Sequence, residues 1–403
     1  MMQRILFGGL FLLSLGAQAQ NVLTGRVLDS LTHEPIPYVN VFFANTTIGS
    51  VTDSNGEFNI HDFPSGKYDL TASFVGYSTI QFPIEFSNGI KNIIIHLSQQ
   101  VIQLQGVFVN EDTLGRKNNL DQFKQHFVGS TKNASQSMII NPRNIRLYFD
   151  PKDRLLLAFA KKPVEIENRA LGYKIHYQLI DFKFDYSQGR IEYLGIPRFE
   201  RLAFKNKHEA KRWEKERKRA YSGSFMHFVR ILKQNSLSEN GFEVHTLYRV
   251  KNRNRPNDEY LNERIRFWKE KQTKENGYIM IGGSGKNDSL TYYFKKRSLP
   301  KVVDSLGRKI TNSRELFAPG SVDVIQFTGM LRVTYKNESE EVNYRPGKHR
   351  LKVQQSVIHF LGPQLRIYAN GYYEDVRDVF FEGYMGWSEK MAELLPLEYA
   401  PGD

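Results

Sequence analysis

Between Gly66 and Phe74 the chain reads GKYDLTASF, in which Tyr68, Leu70, Ala72 and Phe74 alternate with Lys67, Asp69, Thr71 and Ser73. A period of two puts one set of side chains on a buried face and the other in water, the pattern of a half-buried antiparallel strand. Similar runs occur at LTGRVLD, YVNVFFA, EFNI, TIQFPI and NIIIHL, separated by Gly, Pro, Asn or Asp, and no credible helix interrupts them. About seven short strands in so short a stretch predict a β-sandwich.

Within that frame TDSNGEF admits two readings. Asp53, Asn55 and Glu57 place oxygen ligands at alternate positions, as a calcium loop does, yet Asn55-Gly56 is also a tight-turn signal. A helix-loop-helix calcium loop counted from Asp53 needs Gly where Phe58 stands and a carboxylate where Pro64 stands. Both fail, so the segment is read as a hairpin turn, with Asp53 bonding the amides ahead of it.

These residues carry a resemblance. Gly25 and Asp29 flank the first strand, Pro37-Tyr38-x-Asn40-Val41 opens the second, then come Gly49, Thr52-Asp53-x-x-Gly56-x-Phe58 and Gly76-Tyr77. In this order they resemble the carboxypeptidase regulatory-domain-like family. The resemblance implies a transthyretin-like, immunoglobulin-like sandwich without peptidase activity, of the kind that stands at the N-terminus of exported bacterial proteins, including TonB-dependent receptors.

The first twenty residues, MMQRILFGGLFLLSLGAQAQ, have a basic Arg4, an apolar run and Ala17-Gln18-Ala19. They read as a signal peptide over residues 1–19, with the mature chain starting near Gln20. No later run reaches the length of a membrane-spanning helix. Cysteine is absent, which excludes disulfides, thiolate zinc sites, cysteine nucleophiles and a lipidated cysteine. The formal charge of +13 is uneven: residues 20–106 hold three Lys/Arg against seven Asp/Glu, so the basic excess lies downstream. Anionic glycan, lipopolysaccharide or a protein of the outer membrane are the partners expected, and no nucleic acid.

Residues 107–143 read as a linker with one short helix around Asp121, Phe123 and Phe127. From 144 to 403 a larger β-rich domain is expected, with strands at IRLYF, LLLAFA, GYKIHYQLIDFKFDYSQGRIEYLG, GYIMIGG, SLTYYFKKR, VDVIQFTGMLRVTYK, QSVIHFLG and LRIYANGYYEDV. SQGR marks a hairpin tip. A helical hairpin near 205–236 interrupts this domain. Its first helix is solvated, with eight Lys/Arg and three Glu in residues 205–219; its second is capped by Ser222 or Ser224, with Phe225, Phe228, Val229 and Leu232 as its apolar stripe. The element Tyr221-x-Gly223-Ser224-x-x-His227-Phe228-x-Arg230-x-Leu232 also resembles a recurrent feature of uncharacterised exported proteins that begin with the same regulatory-like domain. It implies architecture and no activity.

Catalytic motifs fail one by one. None of the ten histidines has Glu three residues on, and His208-Glu209 meets Arg212 where H-E-x-x-H needs its second His. In IGGSGKNDS a phosphate loop would need Gly at Met280 and Ser or Thr at Asn287, and a nucleophile elbow at Ser284 would need Gly at Lys286. No metal or cofactor is expected. The candidate binding residues are Lys211, Arg212, Trp213, Tyr221, His227 and Arg230, which could stack on sugars or meet anionic headgroups. The bland reading is a solvated face with core aromatics. The reading favours a non-catalytic exported protein, periplasmic or associated with the outer membrane; the alternatives are a carboxylate hydrolase acting on glycans or peptides and an accessory of a TonB-dependent transport system.

Overall fold

The computed structural model describes residues 21–100, 115–276, 289–345 and 352–402. The signal peptide, the GYIMIGG strand, most of IGGSGKNDS and most of QVIQLQGVFV lie outside them.

The chain is mainly β, as the alternation predicts. Seven strands form the first unit: β1 (Asn21–Asp29), β2 (Asn40–Phe43), β3 (Gly49–Val51), β4 (Glu57–Phe63), β5 (Gly66–Ser73), β6 (Ile80–Phe86) and β7 (Ile90–Leu97). They make two sheets, β4-β1-β7 and β3-β2-β5-β6, with β1 and β7 parallel. The inward residues Leu23 and Val27 of β1 meet Tyr68, Leu70 and Ala72 of β5, and Phe43 stacks on Tyr68 at 4.7 Å.

The TDSNGEF segment is a turn but not a hairpin, because β3 and β4 belong to different sheets. Asp53 Oδ1 accepts from the amides of Asn55 and Glu57, both at 2.8 Å. Gly56 alone takes a positive φ, +72°, and a Cβ there would lie 2.6 Å from the Val27 carbonyl. The Val27 amide donates to Gly56 O at 2.8 Å, so the turn is pinned to β1. Close backbone approach, more than turn type, requires the glycine.

The second unit contains α1 (Arg116–Phe127), β8 (Ser137–Ile139), β9 (Ile145–Asp150), β10 (Leu155–Ala160), β11 (Val164–Asn168), β12 (Tyr173–Asp185) and β13 (Arg190–Arg201). One antiparallel sheet runs β8-β11-β12-β10-β9, and β13 pairs with the long β12. The SQGR tip is present: Asp185 pairs with Arg190, and Asp185 Oδ1 accepts from the Ser187 amide. The expected linker is corrected here. Phe123 and Phe127 of α1 are fully buried, with Phe123 4.7 Å from Phe182, so this polar stretch supplies core.

The third unit follows α2 (Lys207–Tyr221): α3 (Phe225–Gln234), β14 (Phe242–Lys251), α4 (Asp258–Asn276), α5 (Ser289–Arg297), β15 (Val302–Ile310), β16 (Val324–Ile325), β17 (Gly329–Ser339), β18 (Val353–Phe360), β19 (Leu365–Arg366), β20 (Val379–Glu382) and α6 (Gly383–Ser388). Its main sheet runs β15-β14-β17-β18-β20. Phe225, Phe228, Val229 and Leu232 of α3 pack with Phe242, Leu331 and Val333 of the sheet. Ser224, not Ser222, caps α3 by accepting from the His227 amide at 3.1 Å.

Two more expectations change. The helices at 205–236 are not a hairpin insertion, because Ala220 and Tyr221 of α2 join the core of the second unit while the α3 stripe joins that of the third. SLTYYFKKR is helix α5, not a strand. Leu290 and Phe294, four residues apart, share one side of the helix, Tyr292 falls on the other, and packing on α4 decides for the helix.

The segment 389–399 ties the units together. The amides of Met391 and Ala392 donate to Phe127 O and Val128 O, and Asn168 Nδ2 donates to Ala392 O at 2.9 Å. Glu398 accepts from the amide and hydroxyl of Thr47 in the sandwich, and Arg230 of α3 donates to Leu397 O and Tyr399 O.

Candidate interaction surface

The motif residues of the sandwich act on the sandwich itself. Tyr77 Oη donates to Asp29 Oδ2 at 2.8 Å, and the same carboxylate accepts from the amides of Leu31 and Thr32. Those amides, then Tyr77, hold Asp29 well below the usual carboxylate range. Gly76 precedes Tyr77 at φ +88°. Pro37 leads into Tyr38, an exposed residue at φ +62° whose amide donates to Thr52 O. Asn40 starts β2 on the solvent side, and Phe58 is core.

The six candidates around α2 and α3 do not share a surface. Trp213 is buried, its Nε1 donates to Arg169 O at 2.8 Å, and its ring lies where a Cβ on Gly172 would be, 2.3 Å away. Tyr221 is buried 4.6 Å from the His227 ring, with the Arg230 guanidinium 5.3 Å from its centre. His227 is buried, and its Nδ1 accepts from the Gly223 amide at 3.2 Å. Burial first, and Arg230 second, push the imidazole down to about 4. Arg230 is used by three carbonyls, of Asn370, Leu397 and Tyr399. Only Lys211 and Arg212 face solvent, Arg212 beside Glu209 at 3.5 Å. The physical reason is sparse: Trp213, Ala220 and Tyr221 are three apolar residues among many charges, too few to show as a stripe, yet they turn one side of α2 inward.

Carboxylates with raised pKa sit at contacts between units. Arg219 of α2 binds Glu216 at 2.9 Å, Glu341 at 2.7 Å and Glu393 at 3.2 Å. Burial raises Glu393, and Arg219 opposes the rise. Burial also lifts Glu338 to about 7 and Glu389 to about 7, while Glu389 accepts from the Phe225 amide at 2.8 Å. Glu398 is raised by burial too, against its bonds to Thr47. Among the described residues no cluster of His, Asp or Glu has the arrangement of a metal site.

The feature that stands apart lies between β14 and β15. Lys251 pairs with Val302 across an antiparallel ladder, so everything from Asn252 to Lys301 leaves the sheet and returns at one place. The far ends of both strands are solvent-exposed on both faces, so α4 and α5 form an arm beyond the core. Asn252 closes its base, donating from Nδ2 to Pro300 O at 2.9 Å. Asp258 joins Arg255 and lies 2.6 Å from Lys301; these hydrogen bonds bring its carboxyl down to about 2. Leu261, Ile265 and Leu290 are buried between the helices and belong to none of the three larger cores.

The rest of the arm is basic and aromatic. Asn252 to Lys301 contains twelve Lys/Arg against six Asp/Glu. Tyr260, Arg264, Phe267, Lys271 and Lys274 recur every three or four residues along α4, one stripe of the helix. Tyr260, Phe267 and Tyr292 are 44%, 49% and 54% exposed. Arg264 lies 5.1 Å from the Phe267 ring centre and 5.6 Å from that of Tyr293, which is 6.2 Å from Tyr260. A groove of about 580 Å³ beside α4 is lined by Arg266, Lys269, Glu270, Lys274 and Arg297. Sequence reasoning passed over α4. Its signals were Asn257 as cap, which accepts from the Tyr260 amide at 2.8 Å, and the spacing of Leu261, Ile265 and Trp268.

A seven-stranded sandwich closed by a parallel β1–β7 pair places the N-terminal unit in the transthyretin-like class. Residues 23–109 match the CarboxypepD_reg-like domain family, the family that the motifs of this unit resemble. No curated protein matches the chain in sequence. Among solved structures, part of the chain is similar to a catechol 1,2-dioxygenase from Acinetobacter inhibited by bound mercury, at 10% identity and TM-score 0.19, over 24% of this chain and 58% of the dioxygenase. It is also similar to a type II cohesin–X-dockerin complex component from Acetivibrio cellulolyticus, at 20% identity and TM-score 0.19, over 28% of this chain and 79% of that one. A third is the 5-hydroxyisourate hydrolase of Klebsiella pneumoniae, at 19% identity and TM-score 0.18, over 20% of this chain and 92% of that one.

Proposed function

We propose that this is an exported, non-catalytic cell-envelope protein that binds or assembles at the outer membrane, and that the α4–α5 arm is its contact surface. The arm carries this reading: a projecting helical pair with its own small core that presents aromatic rings and unbalanced positive charge to solvent. Solvated helices ordinarily mix their charges and hide their rings. The raised carboxylates support the same reading, since Glu389, Glu393 and Glu398 bind the chain's own amides, arginine and threonine. The groove beside α4 is not lined by them.

The test replaces Asn252–Lys301 by an Asn-Gly turn joining Lys251 to Val302, two positions already paired across the ladder. Both proteins are produced in a Gram-negative host and followed by envelope fractionation, with circular dichroism as the folding check. Retention of the full chain in the outer-membrane fraction and release of the armless chain support the proposal. Equal retention overturns it.

A further inference from the structure

We infer that the occupant of the arm is the anionic headgroup layer of a phospholipid bilayer; this rests on the arm being the contact surface. The α4 stripe Tyr260, Arg264, Phe267, Lys271 and Lys274 alternates rings with cations and contains no carboxylate. The acids Glu259, Glu263 and Glu270 lie along one edge of this stripe, Glu263 three residues from Tyr260 and four from Phe267. The cations therefore run down the patch with carboxylates at one border. From α5, Tyr292 and Tyr293 extend the patch, their rings 5.2 Å apart, and Lys296 lies 5.6 Å from the Tyr292 centre.

A bilayer surface asks for this combination. Tyr and Phe rings seat at the boundary between headgroups and acyl chains, where an apolar body and a wet edge are both satisfied. Lys and Arg reach anionic phosphates at the same level while their stems lie along apolar surface. An acidic protein would match the cations but leave half-exposed Phe267 and Tyr260 without a comparable partner, and a neutral glycan would match the rings but not the charge. The rings and cations are side by side, Arg264 between Phe267 and Tyr293, so a flat mixed surface meets them together.

The experiment is flotation of the purified chain with vesicles of phosphatidylcholine alone or with added phosphatidylglycerol, across a salt series. The full chain is expected to float only with the anionic vesicles and to be released as salt rises. Arg264→Gln with Lys271→Gln should weaken binding by about 25-fold, taking about fivefold for each cation at the surface. Lys211→Gln with Arg212→Gln on α2 removes the same charge away from the arm and should change it less than about twofold on the same scale. Phe267→Ser should weaken binding several-fold without altering the salt dependence. Equal losses for the two charge pairs would reduce the effect to net charge and overturn the inference. If the chain floats with neither vesicle while arm removal still releases it from envelopes, the lipid assignment falls and the arm's role stands. If arm removal changes neither result, both fall.

Discussion

Replacing Arg219 by leucine removes a cation shared by three carboxylates, Glu216, Glu341 and Glu393, and leaves Glu216 with Lys132 at 3.5 Å. Breaking a buried pair from one side costs about 3 to 5 kcal/mol, because the partner is left charged and unpaired. Here the Arg219 side chain is 27% exposed, while those of Glu216, Glu341 and Glu393 are 12%, 17% and 8% exposed. Partial access of water to the cation lowers the expectation to about 2 to 3 kcal/mol. The sign of the pH dependence follows from Glu393, whose pKa burial raises even with Arg219 present. Without the arginine it rises further. A raised carboxyl adds stability that is complete below the unfolded value of 4.5 and is lost as pH climbs through the folded value. The gap between wild type and Arg219→Leu should therefore be widest above neutrality and close toward pH about 4.5. Thermal unfolding across that range reads the gap, and Glu393→Gln added to Arg219→Leu should recover part of it. A gap that is independent of pH, or a double variant whose losses simply add, would refute the reasoning.

Other perturbations address separate links. Gly172→Ala should destabilise by about 3 kcal/mol, combining overpacking with a positive φ of +72°, whereas Gly189→Ala, at φ +62° with open space around it, should cost about 1 kcal/mol; chemical denaturation followed by tryptophan emission compares them, and equal costs would argue against the Trp213 contact. His126 and His227, pushed down to about 4 by burial, contribute stability that is present above the unfolded 6.5 and lost as pH falls through about 4. Glu338 and Glu389 drift the opposite way over the same window, so site-resolved proton NMR of the imidazoles is the sharper readout. A His227 midpoint above 6 would contradict its placement. Thr47→Val should loosen the sandwich from segment 389–399 by about 1 to 2 kcal/mol, seen as earlier unfolding of the sandwich, because Glu398 keeps only the Thr47 amide.

Legibility in the sequence followed the range of the interactions. Strands β1 to β7 were readable because alternation and turn chemistry are local, whereas the motif residues Gly56 and Tyr77 answer to Val27 O and Asp29 on β1, distant in sequence. The turn at Asp53 was visible while its destination was not, since nothing in TDSNGEF says that the next strand joins another sheet. Trp213, His227 and Arg230 were read as binding candidates, and the structure engages them with Arg169 O, the Gly223 amide and three distant carbonyls. The partners of Trp213 and Arg230 lie 44 and 140 to 169 positions away and leave no trace in composition. The arm was hidden for another reason: Leu290, Tyr292 and Phe294 alternate as a strand would, and contact with α4, itself unread, overrides that period.

The strap formed by residues 389–399 has a consequence in time. These residues are synthesised after all three bodies they clasp, so Thr47, Asn168 and Arg230 must wait with their bonding groups satisfied by water until the last of the strap arrives. The second core is completed by Met391, Ala392, Leu395 and Tyr399 of the strap itself, so that unit finishes its packing last. The strap adds to direct contacts between the bodies, such as the Asn45 amide to Pro197 O and Tyr372 Oη to Asp69, so its arrival tightens an arrangement already begun.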